Sequence, residues 1–188
     1  MDSDELDFTL EMVKEGMDSA IDRLSKELAK VSAGKANPAM VSDLQLDYYG
    51  SPSTISKVAN VQISDARTIA IQPWEKSMLA PIEKAIFEAN LGVTPMNDGE
   101  VVRISIPPLT TDRRKDLVKR TRAIGEDAKV SIRSERQKAM SAIKSAVKDG
   151  YPEDAGKKTE AAVDADMKAY YKKVETYLEK KETAIMTV

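Results

Sequence analysis

The 188-residue chain carries 29 basic and 31 acidic side chains, is 41% hydrophobic, and has neither cysteine nor histidine. Without cysteine there is no disulfide, thiolate nucleophile or zinc-thiolate site; without histidine the usual general base near neutral pH and the commonest metal ligand are missing, so enzyme chemistry is disfavoured and no cofactor or metal is expected. No run of about 18 apolar residues exists to span a bilayer, and the acidic start MDSDELDF is unlike the basic opening of a signal peptide, so a cytoplasmic protein, or its organelle-matrix equivalent, is expected.

Apolar residues at Leu6, Leu10, Val13, Met17, Ala20, Leu24, Leu28 and Val31 step alternately by four and three, which predicts one long helix with a narrow stripe. SAGKANP ends it, with Gly34 as C-terminal cap and Pro38 unable to continue. The runs at 43–51, 58–63, 68–74 and 101–107 are short, β-branched or aromatic, and bounded by Gly, Pro, Ser and Asp, so they predict strands. Between the last two, Met78, Ile82, Ala85 and Ile86 share a face, which predicts a short helix ending at Gly92 with Pro81 in or just before its first turn. The helical period returns beyond Leu109 and persists to about Asp149, and a last helix runs from about Thr159 to Met186 on a stripe of Val163, Met167, Tyr170, Tyr171, Val174, Leu178 and Ile185.

A lone amphipathic helix would leave its stripe in water, so the three long helices predict a three-helix bundle, interrupted by an inserted α+β segment. The chain crosses between the two near residues 33–36 and 106–109, and both crossings hold Gly or Pro. Pro107 and Pro108 fix φ and keep the preceding residue extended, giving a short directional linker, and Thr110 then supplies an N-cap.

Charge is unevenly placed. Residues 110–149 hold twelve basic and six acidic side chains, whereas residues 1–33 hold four and nine. At about 100° per residue, Lys115, Arg122, Lys129 and Arg136, spaced by seven, share a stripe with Lys119 and Arg133. Leu117, Thr121, Ile124, Ala128, Ile132, Ala139, Ile143 and Ala146 lie roughly opposite, so the basic stripe is expected to face solvent with few acidic partners. A charge run usually only solvates a helix. Here arginines dominate, and a straight row of guanidinium forks suits a nucleic-acid backbone through shape and phosphate contacts. Other candidates are weaker: DYYG (47–50) is read as core plus rim, Trp74 as a buried anchor, SAGKA falls short of a phosphate loop, and Asp18 with Asp22 as solvation.

In order, VSAGKANP, YYGSP, DARTIAIQPWEKSMLAPIEKAI, LGVTPMNDG, IPPLTTDRRKDLVK and AKVSIRSERQKA resemble the bacterial ribosome recycling factor family over essentially the whole chain. The resemblance implies an L-shaped two-domain α+β protein: an antiparallel-type three-helix bundle of residues 1–33 and 108–188, and a small β/α/β sandwich domain of residues 34–107. It implies a monomeric non-enzyme that binds the large subunit of the post-termination ribosome. With elongation factor G and GTP hydrolysis, such a factor splits the ribosome into subunits. The small domain would turn about a hinge at Ala33, Gly34, Pro107 and Pro108.

By the same resemblance, Arg133 and Arg136, with Lys129 one turn before, would meet ribosomal RNA, joined by Arg122, Lys115, Lys119 and Lys35. At the first crossing the family tends to read Arg-Thr-Gly-Arg-Ala, where this chain has Ser32, Ala33, Gly34, Lys35 and Ala36, and Gln137 stands where an arginine is frequent. The interaction is therefore expected to lean on Arg133 and Arg136. A scaffold whose stripes pair between chains is the competing expectation.

Overall fold

The structure is a computed structural model that describes residues 3–31 and 33–187. Helix α1 spans Ser3–Ala29. A hairpin of β1 (Gln45–Tyr48) and β2 (Ser51–Thr54) follows, then a single helical turn, α2 (Ile55–Val58), and strands β3 (Ala59–Asp65) and β4 (Thr68–Pro73). Helix α3 (Leu79–Glu88) leads to β5 (Pro95–Asn97) and β6 (Val102–Ser105), and the chain ends in α4 (Thr111–Lys148) and α5 (Glu153–Met186). It divides into two compact units, Met1–Glu27 with Lys119–Thr183, and Leu28–Val118 with Ala184–Val188.

The first unit is built from the three long helices. Leu6, Val13, Met17, Ala20 and Leu24 of α1 are buried with Ala128, Ile132, Ala139 and Ile143 of α4 and Val163, Tyr170, Val174 and Leu178 of α5. Contacts set the directions. Asp18 accepts a hydrogen bond from the Tyr170 hydroxyl, and Leu10, Val13 and Met17 share a groove with Thr159, Ala162 and Val163, so α1 and α5 run the same way. Arg122 meets Glu182 while Arg136 meets Asp164, so α4 runs opposite to α5. The apolar stripes that could have paired between chains are spent within this one.

In the second unit a four-stranded sheet of order β3-β4-β6-β5 is antiparallel throughout. Ile69 pairs with Ile104 and Ile71 with Val102 across β4 and β6, and all four are fully buried, so the two central strands turn one face inward by simple alternation. Helix α3 packs its Ile82 and Ile86 into the same core and contacts β5 and β6 as well as β1 of the hairpin. The fold class is α+β, as the pattern of long helices around short strands implied.

Several local expectations are corrected. Gly34, at φ 81°, lies five residues beyond α1 and does not cap it. The run 43–51 is a strand, a turn at Tyr49 and Gly50, and the start of a second strand; α2 and the three-residue β5 were not foreseen, being too short to show a period. The helix at 75–92 is a 3-10 turn (Lys76–Met78) followed by α3, which stops at Glu88. Helix α5 begins six residues before Thr159, because Pro152 can precede a first turn rich in Glu153 and Asp154. Trp74, expected as a buried anchor, is 68% exposed.

Candidate nucleic-acid interface

The start of α4 is set locally. Thr110 accepts a hydrogen bond from the Arg113 backbone N–H at 3.2 Å through its Oγ1, satisfying one of the donors that a helix N-terminus leaves open. From there the basic stripe separates into two edges with different fates.

One edge faces α5. Arg122 Nε donates to Glu182 Oε1 at 2.9 Å, Lys129 Nζ lies 2.5 Å from Glu175 and 3.7 Å from Glu126, and Arg136 Nε donates to Asp164 Oδ1 at 2.6 Å. These hydrogen bonds push all three cations further up from their ordinary pKa. Lys129 also stands 5.8 Å over the Tyr171 ring and its side chain is only 19% exposed. The expectation of a wholly solvent-facing stripe short of acidic partners is thus corrected: the partners are on the neighbouring helix. A spacing of seven in an antiparallel pair of helices is the spacing at which flanking charges meet across the seam.

The other edge is free. Lys115, Lys119 and Arg133 are exposed, and among the described residues none has an ion-pair partner. Lys119 and Arg133 lie 14 residues apart, close to a whole number of turns, so they stand nearly in line over about 21 Å. Lys144 and Lys148 are likewise exposed and continue this edge, yet the template of sevens missed them. Lys144 follows Arg133 by eleven, a spacing that stays on one face of a straight helix better than repeated sevens do. Lys35 is exposed between the end of α1 and the sheet. Ser32 lies outside the described residues, and Gln137 is exposed on the free edge.

The two crossings are tied to one turn of the sheet. The Ala36 N–H donates to Ala66 O at 2.8 Å and the Ile106 N–H to Arg67 O at 2.7 Å, and Ala66 and Arg67 join β3 to β4. A Cβ on Gly34 would stand 3.1 Å from Leu109 Cγ, so the crossings also touch each other. Ala33, Gly34, Pro107 and Pro108 all fall inside the second compact unit.

The DYYG motif carries a different arrangement. Glu75 accepts from Tyr48 at 3.0 Å and from Tyr49 at 2.6 Å, and these two hydroxyls hold its carboxyl below the usual range. Tyr48 is half-buried and Tyr49 exposed, which is the core-plus-rim division its sequence implied. Among the described residues no group of three or more carboxylates is arranged to hold a metal ion, and no helix is long and apolar enough to cross a membrane.

Residues 24–186 match the family described as Ribosome recycling factor. The chain is 46% identical over 186 residues to the ribosome-recycling factor of Flavobacterium johnsoniae, covering 99% of this chain and 100% of that protein. It is 48% identical over 179 residues to that of Bacteroides fragilis, covering 95% and 96%. Among solved structures, the solution structure of a ribosome recycling factor aligns over 100% of both chains with a TM-score of 0.79 at 30% identity. A second, covering 97% of this chain and 99% of that one with a TM-score of 0.65 at 34% identity, belongs to the T. thermophilus ribosome recycling factor and E. coli elongation factor G bound to the E. coli post-termination complex. The chain therefore belongs to the ribosome recycling factor family.

Proposed function

We propose that the protein binds the large subunit of the post-termination ribosome and, with elongation factor G and GTP hydrolysis, splits it into subunits for a new round of translation. One observation carries this reading: relatives of that name match the chain from end to end, through both the bundle and the inserted domain. The protein makes and breaks no bonds; the chemical step is the partner's GTP hydrolysis. A monomer working in the cytoplasm is the form this reading requires.

On this reading the free edge of α4 is the RNA-facing surface, with Arg133 at its centre, Lys115 and Lys119 toward the helix start, and Arg136 and Arg122 on its α5 side. Lys129, tied to Glu175, and Lys35, at the crossing, stand at its margins. We assign the hinge between residues 1–33 with 108–188 and residues 34–107 to Ala33, Gly34, Pro107 and Pro108. These residues lie between the last turn of α1 and the bond at Ala36, and between the bond at Ile106 and the first turn of α4. Neither proline has an N–H to tie the segment further.

The test is a subunit-splitting assay with post-termination ribosomes, elongation factor G and GTP. Arg133→Ala combined with Arg136→Ala should weaken large-subunit binding at least about tenfold, and should flatten the dependence of log affinity on log salt by one to two, each contact being worth about one. Unchanged affinity in a folded double variant would remove α4 from the interface. Splitting-competent ribosomes left intact by the wild-type protein would remove the function.

A further inference from the structure

Arg122 and Arg136 meet α5 in a way that Lys129 cannot. Each arginine gives only its Nε–H, to Glu182 at 2.9 Å and to Asp164 at 2.6 Å, and among the described residues neither Nη group has a hydrogen-bond partner. A guanidinium carries five N–H donors in one plane, so a bond through Nε fixes the plane and leaves the two-nitrogen edge unspent. Lys129 has one nitrogen, and Glu175 and Glu126 both lie within reach of it.

The register makes the Arg136 contact informative. Arg122 with Glu182 and Lys129 with Glu175 advance seven residues on each helix, and the next step would set Arg136 opposite Lys168. Arg136 instead reaches Asp164, one helical turn further along α5. Its side chain is still 34% exposed there, so it is held without being enclosed.

We propose that Asp164 and Glu182 are positioning residues for phosphate recognition: they grip Arg136 and Arg122 through Nε and so hold the free Nη edges ready for a backbone phosphate. This inference rests on the reading of α4 as the RNA-facing surface. A carboxylate forked onto the two Nη groups would occupy that edge and leave a phosphate only the side-on Nε edge, whereas one gripping Nε leaves the two-Nη edge open. A long side chain already fixed in place loses less freedom on binding.

The experiment measures affinity for purified large ribosomal subunits across a salt series, using labelled full-length protein and checking each variant's melting temperature. Asp164→Ala should weaken binding by about fivefold, the scale of one exposed ion pair. Asp164→Asn should restore it to within about twofold, because the amide oxygen still accepts from Nε. Arg136→Lys should lose as much as Arg136→Ala despite keeping its charge, since an ammonium has no second edge to offer.

Tighter or unchanged binding by Asp164→Ala, or wild-type binding by Arg136→Lys, overturns the proposal. Arg133→Ala separates the two levels. If it weakens binding while Asp164→Ala does not, positioning fails and the RNA-facing reading stands. If Arg133→Ala leaves affinity and salt slope untouched, the RNA-facing reading fails and the positioning role with it.

Discussion

The two compact units bury their interiors by different means. In the sheet unit Ile55, Ile69, Ile71, Ile82, Ile86, Ile104 and Ile106 are essentially free of solvent and converge from the sheet, α2 and α3 on one centre. In the helical unit the large apolar side chains at that depth are strung along the axis, at Leu6, Met17, Leu24, Ile132, Ile143 and Val174, with alanine and glycine between them. Where the small residues lie, the helices can approach closely. A convergent core should be sensitive to removed volume, and a thin seam to added volume.

The largest effect should come from the convergent core. Ile104 lies on a central strand opposite Ile69 and is fully buried, so Ile104→Ala should cost about 3 kcal/mol, combining lost transfer energy with a cavity. Amide exchange should show β4 and β6 losing protection while the middles of α4 and α5 keep theirs. An equal loss in both would mean that the units unfold as one and would erase the contrast.

The converse test adds a methyl group to the seam. A Cβ on Gly125 would fall 2.4 Å from Leu178 Cδ1 and 2.8 Å from Cδ2, and Leu178 is itself buried. The helix-propensity gain of about 1 kcal/mol for Gly→Ala offsets only part of an overpacking cost of about 2–3 kcal/mol, the upper part of the usual range, at so close a contact. Gly125→Ala should thus cost about 1–2 kcal/mol in a denaturant titration, and Gly125→Val more.

How much of this was legible in the sequence follows from periodicity. The stripe from Leu6 to Leu28 of α1 was readable because its members share one helix face, and all but the half-buried Leu10 are buried. The strands β3, β4 and β6 showed through their β-branched runs, whereas β2 and β5 contain Pro52 and Pro95 and too few residues to alternate. Within the candidate site, the cluster of cations on α4 was visible by counting, and Arg133 stands exposed as its spacing required. What could not be read was which cations α5 would claim. That depends on the register between two helices, and a shift of one turn would have set Arg136 against Lys168. Trp74 misled for a related reason: hydrophobicity favours burial, yet the position of a residue after a strand end is fixed by its neighbours.

A smaller effect probes the polar contact inside the seam. The Tyr170 hydroxyl donates to Asp18, and burial first, then this bond, pushes the phenol up to about 12 from an ordinary 10.0. A phenol whose folded pKa exceeds its unfolded value stabilises the fold fully below pH 10, and that contribution is lost as pH climbs toward 12. Tyr170→Phe should therefore cost about 1 kcal/mol at neutral pH. The gap between wild type and variant, followed by denaturant titration, should narrow above pH 10. A constant gap would show that the hydroxyl contributes packing alone.

The finest comparison sets Gly16 against Gly125, since both sit inside long helices and both face another helix at close range. A Cβ on Gly16 would meet Glu135 Cδ at 2.6 Å and Oε2 at 2.7 Å. The obstacle is the far end of a flexible side chain whose carboxylate already bonds Lys138 Nζ at 2.7 Å toward the surface. Glu135 can swing aside, whereas Leu178 is enclosed. Gly16→Ala should accordingly fall within about 0.5 kcal/mol of wild type, the propensity gain offsetting the displacement. A loss above about 1.5 kcal/mol, the scale of core overpacking, would mean that Glu135 is fixed where it lies, and that the seam tolerates added volume no better under a charged side chain than under Leu178.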